Sequence, residues 1–94
     1  MSVTVRVPTI LRRHVGGVAR VEIERNGGGT VQDLLSELER RYPGFTAGVV
    51  TDQGALHRFV NLYVNDEDVR YLQALDTPVA DGDTVSILPA VAGG

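Results

Sequence analysis

No cysteine occurs among the 94 residues, which excludes disulfides, thiolate metal sites and cysteine nucleophiles together. Lysine is missing too: all nine basic residues are arginines, at positions 6, 12, 13, 20, 25, 40, 41, 58 and 70. A GC-rich coding bias is a sufficient explanation for that choice. Its chemical consequence stands whatever the cause, because no side chain offers a primary amine for acylation. No apolar stretch approaches the roughly 18 residues that span a bilayer. Met1-Ser2-Val3-Thr4-Val5-Arg6 alternates like a strand where a secretory signal would be apolar. The expected setting is cytoplasmic, with no membrane partner. A net charge of −3 is the wrong sign for a phosphate-binding face, so no nucleic-acid partner is expected either.

What is present suits a small globular domain. With 43% hydrophobic and 22% charged residues, the chain carries enough apolar surface to fold. Its length allows a single domain over residues 1–94, one that buries about 60–65% of its unfolded surface. Val3, Val5 and Val7 alternate with Thr4 and Arg6, the pattern of a half-buried strand closed by Pro8. Residues 9–17 then read as a connection ending in Gly16-Gly17. Ala19, Val21 and Ile23 alternate with Arg20, Glu22 and Glu24, predicting a second strand paired with the first as a hairpin.

Asn26-Gly27-Gly28-Gly29 breaks that strand, and Thr30 with Asp33 reads as a helix N-cap and a variant capping box. Val31, Leu34, Leu35, Leu38 and Tyr42 recur at helical spacing until Pro43-Gly44 stops them. Residues 45–58 read as irregular, anchored by Phe45, Val49, Val50 and Leu56. A strand is predicted over 59–64, with Val60, Leu62 and Val64 on one face and Phe59, Asn61 and Tyr63 on the other. Asn65-Asp66 turns the chain, and residues 69–72 add a short strand or helical turn. After the turn Asp81-Gly82-Asp83, Val85 and Ile87 point inward from a final strand. Strands on one side of a single helix make a two-layer α+β architecture, a mixed sheet with the helix packed on one face.

The sequence closes on Val91-Ala92-Gly93-Gly94. Glycine has no Cβ, so Gly93 and Gly94 can enter a channel too narrow for side chains. A flexible tail over 89–94 is expected, reaching roughly 20 Å in full extension. A frayed terminus without function is the competing reading of such an end.

From Asp81-Gly82-Asp83 to Gly94 the chain resembles the sulfur carriers of the ThiS/MoaD superfamily. Their mark is an acidic turn, an apolar last strand, a proline and a terminal Gly-Gly. Pro8-Thr9-Ile10-Leu11-Arg12 and the run from Leu56 to Arg70 are similar to the branch of that superfamily serving cysteine biosynthesis. The likeness spans nearly the whole chain and departs around residues 15–29 and 71–78.

The resemblance implies a ubiquitin-like β-grasp fold and a protein that is not itself an enzyme. It implies three partners: a ubiquitin-activating-type adenylating and sulfurtransferase enzyme that uses ATP, a PLP-dependent cysteine synthase, and a metallopeptidase that releases cysteine. The carrier itself would bind no cofactor. Gly94 would be the point of covalent adenylate and thiocarboxylate attachment, with Gly93, Ala92 and Val91 as the tail held by the activating enzyme. Without lysine, an activated C-terminus could not be lost to a neighbouring copy. Leu88, placed just before the tail proline, and Phe59 fall on the outward register of their strands and are the candidate partner interface.

Other constellations carry less. Gly27-Gly28-Gly29-Thr30 before a helix favours an anion, but lacks the spacing and the lysine of a phosphate-binding loop. Asp66-Glu67-Asp68 sits in a turn and cannot converge on a cation without further ligands. His14 and His57 are isolated, so no metal site is expected. Arg12-Arg13 and Arg40-Arg41 read as solvated charge. The competing functions are the small subunit of molybdopterin synthase, a protein modifier joined through Gly94 to target lysines, and a binding module with an inert tail.

Overall fold

The computed structural model describes residues 2–24 and 29–89. Among them, strands β1 (Ser2–Arg6), β2 (Arg20–Glu24), β4 (Val60–Val64), β5 (Glu67–Asp68) and β7 (Thr84–Pro89) form one sheet in the order β2-β1-β7-β4-β5. β1 and β7 run parallel at its centre, and the remaining pairs are antiparallel. The helix α1 (Val31–Arg41) covers one face. A two-stranded ribbon of β3 (Gly29–Thr30) and β6 (Pro78–Val79) borders it.

Alternation builds the core. Val3 and Val5 of β1, Val21 and Ile23 of β2, Val60, Leu62 and Val64 of β4, and Val85 and Ile87 of β7 are all buried on the side facing α1. From the helix come Val31, Leu34, Leu35 and Leu38, with Phe45 and Val49 closing one end. Ala19 differs from expectation: it is exposed and precedes β2, its carbonyl accepting from the Val7 amide at 2.8 Å.

The helix starts as its sequence predicts. Thr30 Oγ1 accepts from the Asp33 amide at 3.2 Å, and Asp33 Oδ2 accepts from the Thr30 amide at 3.0 Å, a reciprocal capping box. Its far end is held by Glu39, whose carboxylate accepts from the amides of Gly44 and Thr46 and from Thr46 Oγ1, at 2.7–3.0 Å. That staple folds the chain back so that Phe45 drops into the core. Asn65 and Asp66, both at positive φ, make the tight turn between β4 and β5.

The connection expected over 9–17 is more ordered than its sequence suggests. Residues Thr9–Val15 form a 3-10 helix that buries Leu11 and Val15 and ends on Gly16 in the left-handed region, φ 75°. It lies against Gly48, where a Cβ would come within 2.5 Å of Leu11 Cδ2. Residues 69–72 resolve as a 3-10 turn, Val69–Tyr71, and a second such turn spans Ala74–Asp76.

Candidate functional site

β7 carries the chain toward its C-terminal residues, and its position in the sheet decides what surrounds the departure point. Its register with β4 continues to Val60↔Pro89, whereas its register with β1 stops at Arg6↔Ser86. Beyond Arg6, Pro8 turns the chain away into the 3-10 helix. Residues 87–89 are therefore flanked by β4 on one side and by an open groove of about 760 Å³ on the other. Pro89, assigned by sequence to the tail, is the last residue of the strand. A proline there is tolerated because the ladder is ending and no donor is required.

Leu88 and Phe59 both stand out from the sheet, 47% and 53% exposed. Leu88 is paired with Asn61 on the side of the sheet opposite α1, whereas Phe59, expected to open the strand over 59–64, sits in the turn just before β4, which begins at Val60. A third exposed apolar side chain, Ile10 at 66%, lines the groove together with Leu88. Sequence reasoning missed Ile10. The available signal was the adjacent pair Ile10-Leu11, only one of which a short helix can bury.

Phe59 is held from several sides. The Arg58 guanidinium lies 4.8 Å from its ring centroid and the His57 ring 5.7 Å away. His57 Nδ1 is buried without a partner among the described residues. Behind this segment Arg70 acts as a clamp. Its guanidinium donates to the carbonyls of His57 (2.9 Å) and Val60 (2.7 Å) and to Asn61 Oδ1 (2.9 Å). One arginine thus fixes the backbone that presents Phe59 and the residue opposite Leu88.

The remaining candidates have local partners. Arg40 and Arg41 both pair with Glu37 on α1, and those guanidiniums hold the Glu37 carboxyl down to about 2. Glu39 is also lowered, chiefly by the Gly44 amide and then by the Thr46 hydroxyl and amide. Arg12 donates to the Val7 carbonyl and Arg13 to His14. Asp68 caps the turn at Arg70. Among the described residues no group of three or more histidine or acidic side chains could hold a metal ion, and no helix is long and apolar enough to cross a membrane. Val91, Ala92, Gly93 and Gly94 lie outside the described residues, as do Gly27 and Gly28. The described surface offers exposed apolar side chains, a groove and the strand end that leads toward residues 90–94.

Comparisons with known proteins bear on the family and the fold. The model of the ThiS family matches residues 5–94. The chain is 52% identical over 96 residues to the sulfur carrier protein CysO of Mycobacterium tuberculosis, covering the whole of both chains. It is 37% identical over 82 residues to small archaeal modifier protein 3 of Haloferax volcanii, covering 87% of this chain and 88% of that one. Among solved structures, the Amycolatopsis orientalis BexX/CysO complex contains a chain that superposes with a TM-score of 0.84 at 51% identity, covering 98% of this chain and 99% of the other. The architecture is the ubiquitin-like β-grasp.

Proposed function

Because the chain belongs to the ThiS family, we propose that it is a sulfur carrier whose reacting group is the carboxylate of Gly94. The observation that carries this reading is the 52% identity to a sulfur carrier across the full length of both chains.

A carboxylate is a poor electrophile. An ATP-dependent activating enzyme overcomes this when the Gly94 carboxylate attacks the α-phosphate, pyrophosphate leaves, and an acyl adenylate forms. A sulfur nucleophile then displaces AMP and leaves a thiocarboxylate. That group is a tethered nucleophilic sulfur, presented at high effective concentration instead of as free sulfide. In the cysteine branch it attacks the β-carbon of a serine derivative on a PLP-dependent synthase and displaces the activating group. The Gly94 thioester so formed shifts from sulfur to the neighbouring amino nitrogen, and a metallopeptidase hydrolyses that amide to free the new cysteine. The carrier binds no cofactor and performs none of these steps with its own side chains. It contributes the carboxylate, the narrow run Val91-Ala92-Gly93, and the docking face of Leu88 and Phe59.

The test is ATP–pyrophosphate exchange by the activating enzyme. Exchange is expected with the full chain and not with a chain lacking Gly94; equal exchange with both would refute the site. A second reading, a protein modifier, draws support from the likeness to small archaeal modifier protein 3. It predicts isopeptide adducts through Gly94 on target lysines in a lysate, which the carrier reading does not.

A further inference from the structure

The overall charge of −3 conceals a separation along the strands. Glu24 is paired with Ser2, whose amide donates to Asp81. Asn65 bonds Asp83, Asp66 follows it in the same turn, and Glu67 opens β5. These acids gather at one end of the sheet. At the other end, where β7 runs out, stand Arg6, Arg20 and Arg58. Arg6 and Arg20 are direct cross-strand partners on the face opposite α1, an arrangement that repels. Neither guanidinium has a partner among the described residues. Glu22, the next outward residue of β2, instead accepts from Thr4 Oγ1 at 2.6 Å. The groove beside residues 87–89 is lined by three arginines, Arg6, Arg12 and Arg20, with Ile10, Leu88 and Pro89, and no carboxylate lines it.

Resting on the sulfur-carrier reading, we propose that this groove receives an acidic segment of the protein that takes the C-terminal residues, with carboxylates on Arg6 and Arg20 and an apolar side chain against Ile10 and Leu88. Two unpaired arginines facing each other lose stability in the free chain and gain it when a carboxylate bridges them. The apolar anchors favour a protein over a nucleic-acid backbone, which needs charge alone. Because the acids lie at the opposite end, the charge separation also turns the tail end toward a negative partner before contact and speeds association.

The test is stopped-flow association of the full chain with its activating enzyme across a range of ionic strength. Arg6→Gln/Arg20→Gln is compared with wild type and with Arg40→Gln, a charge change on the helix layer. At about 0.02 M salt the double variant is expected to associate roughly five-fold more slowly, and near 0.5 M the difference closes as screening shortens to a few ångströms. Arg40→Gln keeps the wild-type slope, and the double variant melts at or slightly above wild type, as relief of the Arg6–Arg20 repulsion requires. An unchanged rate and salt slope, with wild type still adenylated, overturns the groove and leaves the carrier reading standing. A wild-type chain that the enzyme never adenylates overturns both. Preferential binding of a 12-base-pair DNA duplex to the same groove would also overturn it, by assigning the face to a polyanion.

Discussion

Ile87 and Leu88 are neighbours on one strand and separate structure from recognition. Ile87 is 1% exposed, inward, and paired with Leu62, itself fully buried. Truncating it removes three carbons from a site bounded by β4 and α1 with little room to collapse. The cost of Ile87→Ala is about 3 kcal/mol, within the range for buried aliphatic truncations. A domain of this size loses some 4–8 °C of melting temperature per kcal/mol, so the midpoint falls by about 12–24 °C. Leu88→Ala changes a side chain 47% exposed, and its stability cost stays within about 0.5 kcal/mol. Its effect appears in association with the activating enzyme, where loss of an apolar anchor of this kind weakens binding about ten-fold. Thermal unfolding by circular dichroism and titration calorimetry of the two variants measure both quantities. A Leu88→Ala chain that melts as low as Ile87→Ala, or that binds like wild type, would refute the division of the strand into two faces.

Other expectations follow from single contacts. Thr30→Ala removes the hydroxyl that accepts from the Asp33 amide, leaves the backbone amide of residue 30 bonded to Asp33, and lowers stability by about 1 kcal/mol, whereas Thr30→Ser keeps most of it; thermal melts of the pair decide this. Arg70→Met releases the His57 and Val60 carbonyls and Asn61, costing roughly 1 kcal/mol and weakening enzyme binding more than stability alone explains. Lysine does not restore it, since one ammonium cannot span three acceptors in the geometry of a guanidinium. Glu39 has a lowered native carboxyl, so its contribution is present above the unfolded value near 4.3 and fades as pH falls through the native one. Wild type and Glu39→Gln should therefore differ in melting temperature at pH 7 and converge in acid; a gap that widened in acid would contradict the staple.

The parts of the fold readable from sequence were those with many repeats of one period. Five residues at helical spacing mark α1 and its C-cap Tyr42, alternating valines define β1, and Val85 with Ile87 define the buried face of β7. Two-residue elements such as β3 and β6 carry no period at all, because each exists only by pairing with the other. The 3-10 helix at Thr9–Val15 escaped because its two buried residues, Leu11 and Val15, form no repeat. Leu88 was legible as an outward position, since strand alternation assigns a face without knowledge of the partner strand; Phe59 is exposed too, but from the turn before β4 and not by alternation. The Arg6–Arg20 pair and the Arg70 clamp were not. The first depends on a register set across a 13-residue connection, and the second joins residues nine to thirteen positions apart through a turn.

The chemistry at the Gly94 carboxylate is what makes this chain a sulfur carrier or not. Intact-protein mass spectrometry after incubation with the activating enzyme, ATP and a sulfur source reads it directly. The expected result is one oxygen-for-sulfur mass increment, confined to the C-terminal peptide and absent when Gly94 is deleted. An unchanged mass in a reaction that consumes ATP, or an increment elsewhere in the chain, would contradict it.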